Sequence, residues 1–244
     1  MRLLSFASRN RRELLRDPLS LLFGIGLPVF LLLLISLIQN SMSDSTIVIF
    51  DIENFTPGMA MFSLSFLSLF TAILIAGDRD SSFLARLFAS PLTASDYIIG
   101  YSLPLVPIAV LQSAVCFVTA FFLGLRANFN ALLSVIALLP TALLFIAFGL
   151  LFGCIFSNKQ AGPISSILVQ VAALSSGIWF PLGVIGGVFR DVCYALPFAH
   201  AVDMARYALS GNYGDIWGHF WWVLGYTIAV FMLAITLFRK KMKG

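Results

Sequence analysis

Uncharged stretches of roughly 20 residues recur along the chain, each closed by a short polar or charged run. A helix needs about that length to cross roughly 30 Å of hydrocarbon. The pattern predicts six spans: Leu19–Ile38, Gly58–Gly77, Ile98–Gly124, Asn130–Phe156, Gly162–Trp179 and Ile216–Phe238. The fifth is the least cleanly bounded, because its uncharged sequence continues to Phe189. Residues 1–16 follow another pattern. There Leu3, Leu4, Ala7, Leu14 and Leu15 interleave with Arg2, Arg9, Arg12 and Arg16 at near-helical spacing, as in an amphipathic helix lying at a membrane surface. Asp17 and Pro18 then suit the N-cap and first helical position of span one.

Three segments between the spans carry the remaining pattern. Gln39–Pro57 holds three acids and no base, with Thr46–Phe50 readable as a short strand or as continued helix. Asp78–Asp96 reads DRDSSFLARLFASPLTASD, in which Phe83, Leu84, Leu87 and Phe88 share one helix face while Arg79, Asp80 and Arg86 project elsewhere. Pro91 ends that helix. Such a stripe suits either the membrane surface or a groove on a partner. Phe180–Asp215 is too apolar for a solvated loop and too broken for a span, which predicts a re-entrant pair of short helices.

Composition agrees. With 60% apolar and 11% charged residues and a mean hydropathy of +0.98, the apolar surface exceeds what one soluble core could enclose. Charge then orients the chain. With the N-terminus inside, twelve bases fall on the inner side: Arg2, Arg9, Arg11, Arg12, Arg16, Arg79, Arg86, Lys159, Arg239, Lys240, Lys241 and Lys243. Three fall outside: Arg126, Arg190 and Arg206. This positive-inside bias predicts a multi-pass protein of the plasma (inner) membrane with both termini cytoplasmic, and it accounts for the net charge of +4 without nucleic acid.

Motifs for bond-making chemistry do not emerge. The four lysines follow no glycine-rich phosphate loop, so ATP is not expected on this chain by that device. Cys116, Cys154 and Cys193 are odd in number and far apart, which predicts neither disulfide framework nor zinc ribbon. His200, Asp203 and Arg206 stand at i, i+3 and i+6; two ligands make a weak metal site, and an Asp203–Arg206 surface ion pair is the plainer reading. The spans hold no ionisable group except His219, which disfavours proton coupling. Gln112, Gln170 and the hydroxyls of spans two and five suit helix packing, or else line a path.

Several of these residues fall together in one pattern. Arg16-Asp17-Pro18 with Pro28, then Asp78-Arg79-Asp80, Arg86-Leu87, Pro91-Leu92 and Ile98-Ile99-Gly100, then Gly177, Phe180-Pro181-Leu182, Pro197 and Arg206 run nearly end to end. In these the chain resembles the permease subunit of ABC-2 type ATP-binding-cassette exporters. It departs from that family at Asp80-Ser81-Ser82, where Glu-x-Gly-Thr is common, at Ile185-Gly186-Gly187, where a second proline is usual, and at Tyr101, where a lysine or arginine often stands. The resemblance implies an all-α integral membrane protein in a single domain, 1–244, with six transmembrane helices, an N-terminal connecting helix (1–17), a cytoplasmic coupling loop (78–96) and an extracellular re-entrant segment (180–215). It implies a second permease subunit and a separate ATPase subunit that carries ATP and Mg2+, with membrane lipid around them and no cofactor on this chain. By the same resemblance Asp78, Arg79, Asp80, Phe83, Arg86, Leu87 and Pro91 couple to the ATPase. Phe62, Phe66, Ser166 and Gln170 line the substrate path, and Phe180, Pro181, Pro197 and Arg206 form an extracellular gate. A hydrophobic or amphipathic cargo fits such uncharged spans: a drug, lipid or peptide antibiotic. The alternatives are a non-transporting polytopic protein (sensor or assembly factor) and an intramembrane enzyme.

Overall fold

The computed structural model describes residues 2–18, 22–41, 50–81 and 94–243, and the described chain is helical with no strand among those residues. In order, the elements are α1 (Arg2–Leu15), α2 (Leu22–Ser41), α3 (Ile52–Asp80), α4 (Ala94–Ser102), α5 (Leu105–Phe122), α6 (Phe129–Ala137) and α7 (Leu139–Ile155). There follow α8 (Asn158–Ser175), α9 (Leu182–Ile185), α10 (Gly187–Ala195), α11 (Pro197–Ser210) and α12 (Tyr213–Lys243). Of Thr46–Phe50, expected as a short strand or continued helix, all but Phe50 lie outside the described residues, as do the amphipathic stripe at 83–88 and Pro91.

Five segments are long and apolar enough to cross a membrane: α2, α3, α4–α5 from Asp96, α6–α7 and α12. The expected fifth span, α8, is a helix of 18 residues but is not one of these five. Its first turn reads Asn-Lys-Gln, and Ser165, Ser166 and Gln170 dilute its apolar face. It also ends sooner than the uncharged run implies, because Gly177 turns the chain at a φ of 73° that residues with a Cβ rarely adopt. Proline explains two other breaks. The third span bends at Leu103-Pro104 between α4 and α5, and the fourth at Leu138, just before Pro140.

The centre of the fold is α3. Its best 18-residue window is 89% buried, against 17% for α2 and 22% for α12. It packs against α2, α5, α7, α8 and α11, with its closest partner α7. Small residues permit that approach. Gly149 and Gly153 of α7 lie against Ser68, Thr71, Ala72 and Ile75 of α3. In lipid, helices associate mainly through such close packing, since burying leucine from acyl chains gains little. The α3 hydroxyls are satisfied locally: Ser68 Oγ donates to Ser65 O at 2.7 Å and Thr71 Oγ1 to Leu67 O at 2.6 Å. They can therefore be buried without a desolvation penalty. Expectations that these hydroxyls serve packing fit this arrangement.

The wide turn of α2, a π-helix over Leu22–Gly26, offers the Gly24 carbonyl to the Ser63 hydroxyl of α3. Cys116, Cys154 and Cys193 are buried thiols outside any disulfide.

Candidate functional site

Two polar constellations close the ends of α3, and both hold residues singled out above. At the end where the expected coupling loop begins, Asp78 is 3% exposed, and a guanidinium and a phenol meet its carboxylate. Arg9 of α1 donates to it through two nitrogens, Nη1 to Oδ2 and Nη2 to Oδ1, each at 2.6 Å. Tyr101 of α4 donates its hydroxyl to Oδ2 at 2.8 Å. Beside it the fully buried Asn10 donates Nδ2 to Gly100 O at 3.1 Å, and Arg9 pairs with Glu13 at 2.6 Å. The next residue, Arg79, turns the other way. Its guanidinium donates to the carbonyls of Gly153 (3.3 Å), Cys154 (2.7 Å) and Phe156, at the C-terminal end of α7. These carbonyls have no helical partner, and the helix dipole makes that end negative. Asp80 is exposed at the tip, whereas Phe83, Arg86, Leu87 and Pro91 lie outside the described residues. Arg79→Leu is expected to cost about 2 kcal/mol by uncapping α7, with Arg79→Lys recovering part of it. Melting temperature in detergent reads the difference.

At the opposite end, Arg206 of α11 reaches three elements. Its Nε donates to Asn54 O in the first turn of α3 at 3.0 Å, Nη2 to Gly177 O after α8 at 3.1 Å, and Nη1 contacts Asp203 at 3.4 Å. Asp203 also accepts from Tyr194 of α10 at 2.8 Å. The anticipated Asp203–Arg206 pair therefore exists, but half-buried rather than at the surface, and burial pushes the Arg206 pKa down. Beneath α9 lies a cavity of about 560 Å³ with Phe50, Trp179, Leu182 and Val184 as apolar wall and Tyr194, Asp203 and Arg206 as polar end. Arg206 and Asn54 also border a separate, more polar pocket of about 310 Å³ that includes Glu53 and Arg126, so the guanidinium stands between the two spaces. Pro181 lines the cavity, Phe180 is exposed beside it, and Pro197 is buried at the first turn of α11.

His200 borders that cluster through Tyr194. Its Nε2 bonds Tyr194 O at 2.9 Å, so Nε2 carries the hydrogen, and its Nδ1 lies 2.7 Å from Nδ1 of His219. One hydrogen fits between those nitrogens. Burial lowers the His200 pKa first, and the neighbouring His219 lowers it further, while the Tyr194 carbonyl and Asp203 act upward. A histidine depressed in the folded state binds fewer protons than the unfolded chain. Its contribution is fully present above the unfolded value of about 6.5 and is lost as pH falls below it. Acidification through this window is expected to lower the melting temperature more in the parent than in His200→Gln.

The expected path residues do not converge within the chain. Phe62 and Phe66 are buried in an aromatic row, 5.3 Å apart by centroids, with Phe66 6.4 Å from Phe23 of α2. Ser166 and Gln170 are exposed on the outer face of α8, beside Ile167, Val171 and Leu174.

A sequence model of the family described as ABC-2 type transporter matches residues 1–210. The chain belongs to that family. It is a multi-pass membrane protein and a transporter's membrane subunit, without an ATP-binding cassette in the matched region. The ABC-2 chain is also similar to two proteins named "Probable multidrug ABC transporter permease YbhR", from Escherichia coli (strain K12) and Escherichia coli O157:H7. Each is 23% identical over 188 residues, which is 75% of this chain and 51% of the relative. The chain thus spans about half the length of these curated relatives. The arginine and proline of the 180–215 segment were legible as ABC-2 features. Arg9, Tyr101 and Asn54 were not: Arg9 read as one of four arginines in α1, Tyr101 as a departure, and Asn54 acts through its backbone carbonyl, which no side-chain pattern reports.

Proposed function

We propose that this chain is the permease of an ATP-driven exporter that moves a hydrophobic or amphipathic substrate, such as a drug, lipid or peptide antibiotic, out of the cell. A separate ATPase subunit, carrying ATP and Mg2+, seats the 78–96 loop, and a second permease completes the path. The observation that carries this reading is α3 itself, a buried helix whose two ends bear the coupling-loop root and the Arg206 cluster. A ligand-sized space closed by one guanidinium is what an outer gate requires, and the apolar wall of that cavity suits amphipathic cargo. The multidrug naming of the relatives supports the same class.

In this reading α8 is the sixth crossing segment. Its exposed Ser166–Gln170 face meets the second permease and the path, which offsets its modest apolarity in lipid. With six crossings both termini are cytoplasmic, in the plasma (inner) membrane, and the basic residues of α1 face lipid phosphates. ATP binding draws the two loops together and tilts the helices from inward- to outward-open. The test is co-expression with a candidate P-loop ATPase subunit from the same source. The expected result is a stable complex that hydrolyses ATP and exports members of an amphipathic substrate panel from vesicles. Recovery of the chain with no ATPase attached would sink the reading.

A further inference from the structure

Asp78 is assigned by resemblance to contact the ATPase, yet both its oxygens accept hydrogen bonds inside the chain. From this geometry we infer that Arg9, Asp78 and Tyr101 form a coupling joint, positioning residues that make α1, the last turn of α3 and α4 move as one body when the ATPase loads the adjoining loop. The inference rests on the exporter reading above and gives the cytoplasmic cluster a specific task within it.

Three observations carry it. The first is placement: Asp78 sits in the final turn of α3, immediately before the loop that follows Ser81, and Arg9 comes from a helix 69 residues away in sequence. The second is the completeness of the fit. A bidentate guanidinium, a phenol hydroxyl and the buried Asn10–Gly100 bond fix α1 in distance, register and rotation against α4. Arg79, on the opposite side of the same turn, extends the clamp to α7. The third is energetic. With Asp78 buried and Arg9 partly exposed, the ion pair gives little net stability, because desolvating the carboxylate offsets the attraction. What it adds is a sharp dependence on position. Apolar contacts slide, whereas bonds of 2.6 Å are lost within about an ångström of displacement. A charged cluster at the last turn of α3 therefore holds one register or releases it.

The departure at Tyr101 finds its reason here. The phenol supplies a donor to Asp78, and a lysine at the same place would supply one too.

The test needs no known substrate. Ser176 is buried and borders the cavity beneath α9, so a cysteine there reports outward opening through its reaction with a membrane-impermeant maleimide. The reporter is Ser176→Cys with Cys193→Ala, in the full chain assembled with its ATPase in vesicles. ATP trapped with vanadate is expected to raise labelling in this parent. Tyr101→Phe and Arg9→Lys should each reduce that ATP-dependent rise about tenfold, the effect of losing one bond to a charge, while ATP binding and assembly stay unchanged. Tyr101→Lys should restore it. Equal rises in Tyr101→Phe, Arg9→Lys and the parent would overturn the joint alone. Loss of assembly with an unchanged rise per complex would also overturn it, since that is the behaviour of a merely structural pair. A parent that assembles with no ATPase, or shows no ATP-dependent labelling, overturns the exporter reading and the joint with it.

Discussion

Gly149→Val is expected to leave little folded protein. An ideal Cβ at this position would lie 2.5 Å from Thr71 Cβ and 2.6 Å from the Ser68 carbonyl oxygen. The second neighbour is backbone, which has no rotamer to give, so α7 would have to lift off α3 along the tightest helix pair in the fold. Overpacking costs about 1–3 kcal/mol where side chains can shift. Here the cost should exceed about 3 kcal/mol, since a branched side chain meets main chain on the central helix. Gly153→Ala should cost less, because its neighbours are Ile75 Cβ at 2.7 Å and Ala72 O at 3.0 Å. Gly218→Ala and Gly225→Ala on α12 are the controls: nothing lies within 4 Å of a Cβ at either, and both should behave as the parent. The monodisperse fraction on size exclusion in mild detergent measures all four. A normal Gly149→Val profile would refute the close α3–α7 approach.

Arg206→Ala should have the second largest effect, on both stability and gating. The substitution strips donors from the carbonyls of Asn54 and Gly177 and leaves Asp203 with Tyr194 as its remaining described partner. Removing one member of a buried, hydrogen-bonded pair costs about 3–5 kcal/mol. Half-burial and the long 3.4 Å contact to Asp203 put this case at the lower end. The functional sign is opposite to that at the joint. With the guanidinium gone, the cavity beneath α9 and the polar pocket beside it should merge, so the cysteine at Ser176 should label without nucleotide. Arg206→Lys keeps the charge but lacks the planar fork that reaches three acceptors, and should label at an intermediate rate. Nucleotide-free labelling of Arg206→Ala at the parent's rate would remove Arg206 from the gate.

Much of the architecture follows from local pattern. Lipid imposes a length on every crossing helix and a sign on its flanks, so Leu19–Ile38 and Ile216–Phe238 could be read as helices from residues close in sequence. That the stretch after Trp179 breaks into short helices was legible for the same reason, since neither water nor lipid suits Val184–Asp191. Its division into α9, α10 and α11 follows positive φ at Gly186 and Gly187 and a proline at 197. The Gly149-x-x-x-Gly153 spacing announces a close helix contact, but the pattern does not say which helix answers it. What no local pattern carries is long-range partnership. Phe66 meets Phe23 of α2, and Asp78 meets Arg9 of α1, from positions far away in sequence. Chain folding decides both.

Asn54 and Asp78 belong to a single unbroken helix, in which Pro57 falls near the start and nothing interrupts the middle. At 1.5 Å per residue the two positions stand roughly 36 Å apart along the axis. Tilting such a rod by about 5° at the Asp78 end displaces the Asn54 end by roughly 3 Å. That is as long as the bond from Arg206 to the Asn54 carbonyl, 3.0 Å, so a tilt this small parts the latch completely. In the proposed exporter α3 would act as a lever, long enough that a small stroke at the Asp78 end needs no amplification to be felt at the Asn54 end.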